Sequence, residues 1–226
     1  MPDMLGTLLW AVHISDGILA WPWWSGGLAL AALLALFGAW RIRDDEIPQI
    51  ALLSTAFFVA SSIHVRVFPT SVHLLLNGLV GVILGRRAAL AIPVGLFLQA
   101  ALLGHGGFLT LGVNSCVMVL PALMAWQLFA LLGCLPLLRQ RWFTIGLLIG
   151  STATLATVLL NSLVLAWGGQ ESWRTLAQLV LLAHLPIVAI EGIVVGFTVR
   201  FLAQVKPEML GLVLHENREC PIESVP

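Results

Sequence analysis

Charge is what this chain lacks. Only 10% of its 226 residues are Asp, Glu, Lys or Arg, against 59% hydrophobic, where a soluble domain carries about 25% charged residues. That deficit excludes a water-soluble core and leaves a polytopic membrane protein. Cysteine is sparse too: Cys116, Cys134 and Cys220 are widely spaced and form no CxxC, which points away from a disulfide framework and from a thiolate zinc site. No GxxxxGK[ST] loop occurs, so any ATP hydrolysis belongs to another subunit. HExxH is absent, and with it the signature of a zinc protease. The net charge is zero and no dense basic tract offers a surface to nucleic acid. Residues 5–12, LGTLLWAV, are too short to span a bilayer and follow no Lys or Arg, which argues against a signal peptide.

Long apolar runs fill the rest. A transmembrane helix needs about 20 apolar residues, and the polar breaks leave seven candidates: 18–40, 47–65, 70–85, 88–104, 108–138, 142–168 and 174–200. The third and fourth are short and separated only by Arg86 and Arg87, and Pro121 is expected to kink or break the fifth. The expected fold is an all-α membrane bundle of about seven spans. Arg41 and Arg43, Arg86 and Arg87, Arg139 and Arg141, and Arg200 and Lys206 make every second connection basic. Cytoplasmic loops carry the positive excess, which places the N-terminus outside and the C-terminus inside. Residues 1–12 then read as an N-terminal extension, 13–204 as the membrane domain and 205–226 as a solvated cytoplasmic tail.

This topology gathers the histidines. His13, His64, His73 and His105 fall on the outer side, His184 in the outer half of the last span, and only His215 in the inner tail. Neutral imidazole is the commonest protein ligand for zinc, copper, nickel and cobalt, so the cluster suggests capture of a transition-metal ion. Taken singly, each histidine is as well explained by an interfacial position. The turn GHGGFLTLGVNS, residues 104–115, begins with glycines that let backbone approach backbone or ligand closely. Asn114, Gln99, Gln127 and Asn161 suit hydrogen bonding between helices. Glu191, ionisable within a span, is a functional candidate or a structural anchor, and it can share a helix face with His184 seven residues earlier. Ala31 and Ala35 permit close helix packing, as for a partner subunit. The tryptophans read as interfacial anchors.

Four stretches carry a resemblance: HISDGIL (13–19), FPTSVHLLLNGLVGVILG (68–85), LLGHGGFLTLGVNSCVM (102–118) and HLPIVAIEGIVVGFTVRFL (184–202). In order, and covering most of residues 13–210, they resemble the CbiM/NikM family, the substrate-binding S components of energy-coupling-factor importers for cobalt and nickel. The resemblance implies an outward N-terminus and an outer metal site in the cytoplasmic membrane of a bacterium. It also implies a transmembrane coupling subunit, ATP-binding subunits and a small accessory membrane subunit as partners. Co²⁺ or Ni²⁺ is then bound as substrate, with no resident cofactor. Nickel members hold the ion in a plane through the terminal amine, the second residue's amide and imidazole, and a distant histidine. His13 matches the early ligand and His73 the distant one. His64, His105, Asp16 and Asn114 are candidates for extra ligands or surrounding groups, with Asp16 alternatively a simple helix cap.

One departure bears on this ligand set: residues precede His13, so no terminal amine adjoins it. Val12 stands where an initiating methionine belongs, and a GUG codon read as a start would restore the motif. Proteolytic trimming, or an altered site that recruits His64, are the alternatives. The functional alternatives are an intramembrane metalloenzyme and a regulatory subunit with a non-functional metal site.

Overall fold

The computed structural model describes residues 13–67, 70–135, 137–138, 141–170 and 174–212. Helices α1 (Trp21–Ala39), α2 (Ile47–Ser62), α3 (Asn77–Leu84), α4 (Ala88–Leu103), α5 (Leu111–Gly133), α6 (Trp142–Gly168) and α7 (Arg174–Val205) form a bundle. Among the described residues, five stretches are long and apolar enough to cross a membrane, when Asn77–Leu103 is taken as one. A short antiparallel hairpin, β1 (His64–Val67) and β2 (Thr70–His73), lies between α2 and α3. It corrects the helical expectation for residues 70–76, where helix begins only at Asn77. Pro121 does not break α5, which runs through it without interruption; helices buried in a membrane bundle tolerate proline because their neighbours satisfy the freed carbonyls.

Asn77–Leu103 is not a straight rod. The Asn77 side-chain amide donates to the Met118 carbonyl at 3.1 Å, and Gly81 meets the backbone of Ala122, so α3 runs parallel to α5. Helix α4 ends, and α5 begins, at the turn 104–110, so these two run in opposite directions. The chain therefore reverses at Gly85–Arg87, where Gly85 adopts φ +54°, a conformation that glycine enters without steric cost.

Small residues set the closest approaches. Gly146 and Gly150 on α6 face Gly192 and Gly196 on α7, two facing GxxxG stretches that let backbones touch. Gly27 on α1 similarly meets Val113, beside Gly112 of α5. The small-residue contacts thus include glycines, beyond the Ala31 and Ala35 that the α1 sequence offers. Leu210 and Leu212, just after α7, are buried against Phe129, Ile145 and Val199, so the first residues after 205 dock on the bundle instead of being solvated. Cys116 is a free buried thiol.

At the end remote from the 104–110 turn, buried Arg87 acts as a hub. Its guanidinium donates to the carbonyls of Gly38, Trp40 and Arg41 at 2.6, 2.8 and 2.9 Å, and to both Glu46 oxygens at 3.1 and 2.7 Å. It thereby satisfies carbonyls that the end of α1 leaves without helical partners. Burial pushes the Glu46 carboxyl up, but the Arg87 guanidinium and the Arg43 amide outweigh it, so its pKa falls below the usual value.

Breaking this hub exposes its worth. Arg87→Ala strands a carboxylate and several carbonyls and is expected to cost about 3–5 kcal/mol, read as a fall in thermal midpoint in detergent. Because the Glu46 pKa is depressed, its contribution is complete above the ordinary carboxylate pKa and disappears as pH drops through the lower folded value. Acidification should therefore lower the midpoint of the wild type more than that of Glu46→Gln.

Candidate metal centre

The segment before α1 is not helical, and it is tied down atom by atom. Asn114 brackets Ile14: its Oδ1 accepts the Ile14 N–H at 3.1 Å and its Nδ2 donates to the Ile14 carbonyl at 2.9 Å. Thr110 Oγ1 donates to the same carbonyl at 2.7 Å. The Asp16 carboxylate accepts the Thr110 N–H at 3.0 Å, so it caps the start of α5 rather than α1. Further along, Ala20 N–H donates to the Gly168 carbonyl and Gln170 N–H to that of Ile18. The bracket of Ile14 leaves its neighbour His13 in one place.

The glycine turn makes room for this segment. Gly104 closes α4 in the left-handed region at φ +65° and Gly106 follows at φ +76°, as helix C-caps commonly require. A Cβ on Gly106 would lie 3.2 Å from the His13 Cβ, and one on Gly107 would lie 2.7 Å from the Asp16 nitrogen.

His13 and His73 meet here. Their ring centroids are 5.3 Å apart with planes at 73°. The His13 Nε2 bonds Gln99 Oε1 at 2.9 Å, and the Gln99 amide donates to Ser61 Oγ, which donates to the Phe57 carbonyl. Burial pushes His13 down to about 4, against the raising effect of Gln99 and aided by nearby His105. His13 is therefore neutral imidazole at physiological pH, the form that ligates metals. His73 is 3% exposed and its Nδ1 bonds the Leu74 carbonyl at 2.9 Å, which leaves the lone pair on Nε2. The backbone just beyond it is held by Glu191, whose carboxylate accepts the N–H groups of Leu75 and Leu76. Glu191 is thus an anchor for the strand that carries His73.

The other expected residues divide. His105 sits close enough to His13 to act on it electrostatically. The backbone of His64 pairs with that of His73, but its side chain lies outside the described residues, as do His215 and residues 1–12. His184 is buried on α7 and bonds its own helix at the Val180 carbonyl, 2.8 Å away; it and Glu191 make different contacts. Asp16 and Asn114 hold backbone. Among the described residues no three His, Cys, Asp or Glu side chains gather as a ligand set, so the centre offers two imidazoles and needs donors of another kind. Sequence reasoning assigned Gln99 to helix contacts and passed over Ser61 and Thr110. The available signal was a polar residue one turn and a half before His105 on an otherwise apolar helix.

Replacing Gly107 with alanine would press Cβ into Asp16 and displace the 13–16 segment. The expected cost is about 1–3 kcal/mol of stability, measured by thermal unfolding, together with weakened binding of divalent metal in equilibrium dialysis.

Known proteins share this architecture. Residues 13–209 match the family model of CbiM, described as the cobalt uptake substrate-specific transmembrane region. A putative metal transport protein of Haemophilus influenzae is 36% identical over 200 residues, covering 88% of this chain and 97% of its own length. A putative cobalt transport protein CbiM of Methanocorpusculum labreanum is 32% identical, covering 88% and 92%. A crystal structure of a transition metal transporter superposes with a TM-score of 0.76 at 22% identity, over 86% of this chain and 93% of the other. These relatives are transport proteins, which sets aside the intramembrane metalloenzyme. A multi-pass membrane protein of cobalt and transition-metal transport, the chain belongs to the CbiM family.

Proposed function

We propose that this chain is the ion-capturing subunit of an ATP-driven energy-coupling-factor importer, taking Co²⁺ or Ni²⁺ at the outer face through His13 and His73. The observation that carries this is the convergence of two imidazoles, half-buried His13 and buried His73, from segments far apart in sequence, 5.3 Å between centroids. Metal–nitrogen bonds of about 2.1 Å are short enough for both rings to share one ion at that spacing. Energy would come from ATP-binding subunits through a transmembrane coupling subunit, with a small accessory membrane subunit alongside.

The chain crosses a bacterial cytoplasmic membrane seven times, N-terminus outside and C-terminus inside. Three observations support this count: the reversal at Gly85–Arg87 makes α3 and α4 separate passes, α2 adds a short one, and Arg41, Arg43, Arg86 and Arg87 lie at the end remote from the histidines. Positive charge marks the cytoplasmic end.

Two imidazoles do not complete a coordination sphere. With a chain starting at residue 12, the terminal amine and the His13 amide nitrogen would add two donors, and a planar set of four nitrogens suits nickel(II). Selection among divalent ions would then rest on geometry.

Two measurements test this. His13→Ala and His73→Ala should each weaken Co²⁺ and Ni²⁺ binding by more than the roughly 10–100-fold that loss of an outer group costs, in titration calorimetry of the purified protein; unchanged affinity overturns the site. Intact mass of protein from its native host, metals retained, should show a chain beginning at residue 12 with one ion. A longer chain carrying metal would mean a ligand set that recruits His64 or His105. A longer chain without metal would mean a non-functional site.

A further inference from the structure

We infer that Gln99 and Ser61 are positioning residues that choose which nitrogen of His13 faces the ion. This deepens the metal-capture proposal and rests on it.

The direction of the hydrogen bonds makes the argument. Ser61 Oγ has one proton, and it goes to the Phe57 carbonyl one turn back on α2. Toward Gln99 the hydroxyl can then only accept, so Gln99 must present its N–H there. That leaves Gln99 Oε1 facing His13, where it accepts the Nε2 proton at 2.9 Å. The relay has a single polarity from end to end. Its consequence is a His13 imidazole protonated on Nε2, with the lone pair on Nδ1. The relay stands in a rigid place: Gln99, Ser61 and Phe57 are fully buried, and the Phe57 ring packs on Gly95, one turn before Gln99 on α4.

Nδ1 is the nitrogen that matters for a chelate. It lies near enough to the backbone nitrogen of its own residue for both to bind one ion in a short ring, whereas Nε2 is on the far side of the imidazole. A histidine free to exchange tautomers presents Nδ1 only part of the time. Metal-bound histidines commonly have their other nitrogen fixed by a hydrogen-bonded partner, which sets tautomer and orientation. Here the partner is a neutral amide whose own orientation is set by a serine on another helix, so α2, which supplies no ligand, specifies the ligand atom.

The test uses the protein with its native N-terminus, in detergent, with Ni²⁺ and Co²⁺ as probes, and reads two signals. Carbon and nitrogen chemical shifts of the labelled His13 ring, assigned by difference from His13→Gln, report the tautomer without metal. Equilibrium dialysis reports affinity. The wild type should show the Nε2-protonated form. Gln99→Leu should lose that signature and bind Ni²⁺ roughly 10–100-fold more weakly. Gln99→Glu, which keeps an acceptor toward His13, should restore the signature and most of the affinity. Ser61→Ala, a small change that spares the fold, should give a mixture of tautomers and an intermediate affinity. Wild-type affinity in Gln99→Leu, or an Nδ1-protonated His13 in the wild type, overturns the inference. A wild type that binds neither Ni²⁺ nor Co²⁺ refutes the capture proposal instead, and the ring shifts alone then decide the relay.

Discussion

Backbone that is not helical has few places to send its N–H and C=O groups inside hydrocarbon, and each group left unmet costs several kcal/mol. Among the described residues this bundle carries several such stretches at its histidine-bearing end, including 13–20, 63–67, 70–76 and 104–110. Several polar side chains there answer that demand. Asn114 and Thr110 satisfy Ile14, Gln170 satisfies Leu19, and Glu191 satisfies Leu75 and Leu76. The side chains that make irregular backbone tolerable also place the imidazoles of His13 and His73.

Glu191 illustrates how one group serves both ends. A buried carboxylate without a cation nearby is costly unless hydrogen bonds replace its hydration. The N–H groups of Leu75 and Leu76 do so at the start of α3, where helix termini favour negative charge. The facing GxxxG stretches of α6 and α7 bring Glu191 close to the strand, since Gly150 packs directly on its backbone. Removing the small residues would separate α7 from the segment it anchors.

The opposite end is built on a different principle. Arg87 gathers the carbonyls of the α1 terminus and the carboxylate of Glu46 into one fork, a charged structure suited to the interface, where basic residues concentrate. At the histidine end the groups beside the His13 and His73 rings are amides, hydroxyls and backbone, and the two carboxylates nearby, Asp16 and Glu191, are each bound to backbone N–H groups.

Membrane residence, the apolar runs, the basic connections and the six histidines were all determined by the sequence itself, because they follow from composition and local order. The histidines as a group stood out because they are rare in such a chain, while the pairing of His13 with His73 came from the resemblance alone. What tertiary structure decided was every contact between segments distant in sequence. The reversal at Gly85 depends on a backbone angle, the extended run before Asn77 on a partner more than a hundred residues away in Glu191, and the docking of Leu210 on a core formed by other helices. Gln99 reads as an ordinary helix-packing polar, and Ser61 draws no notice, until α2 and α4 are brought together. Apolar periodicity says which residues avoid water, but it does not say which helix faces which, and the orientation of a histidine ring is decided there.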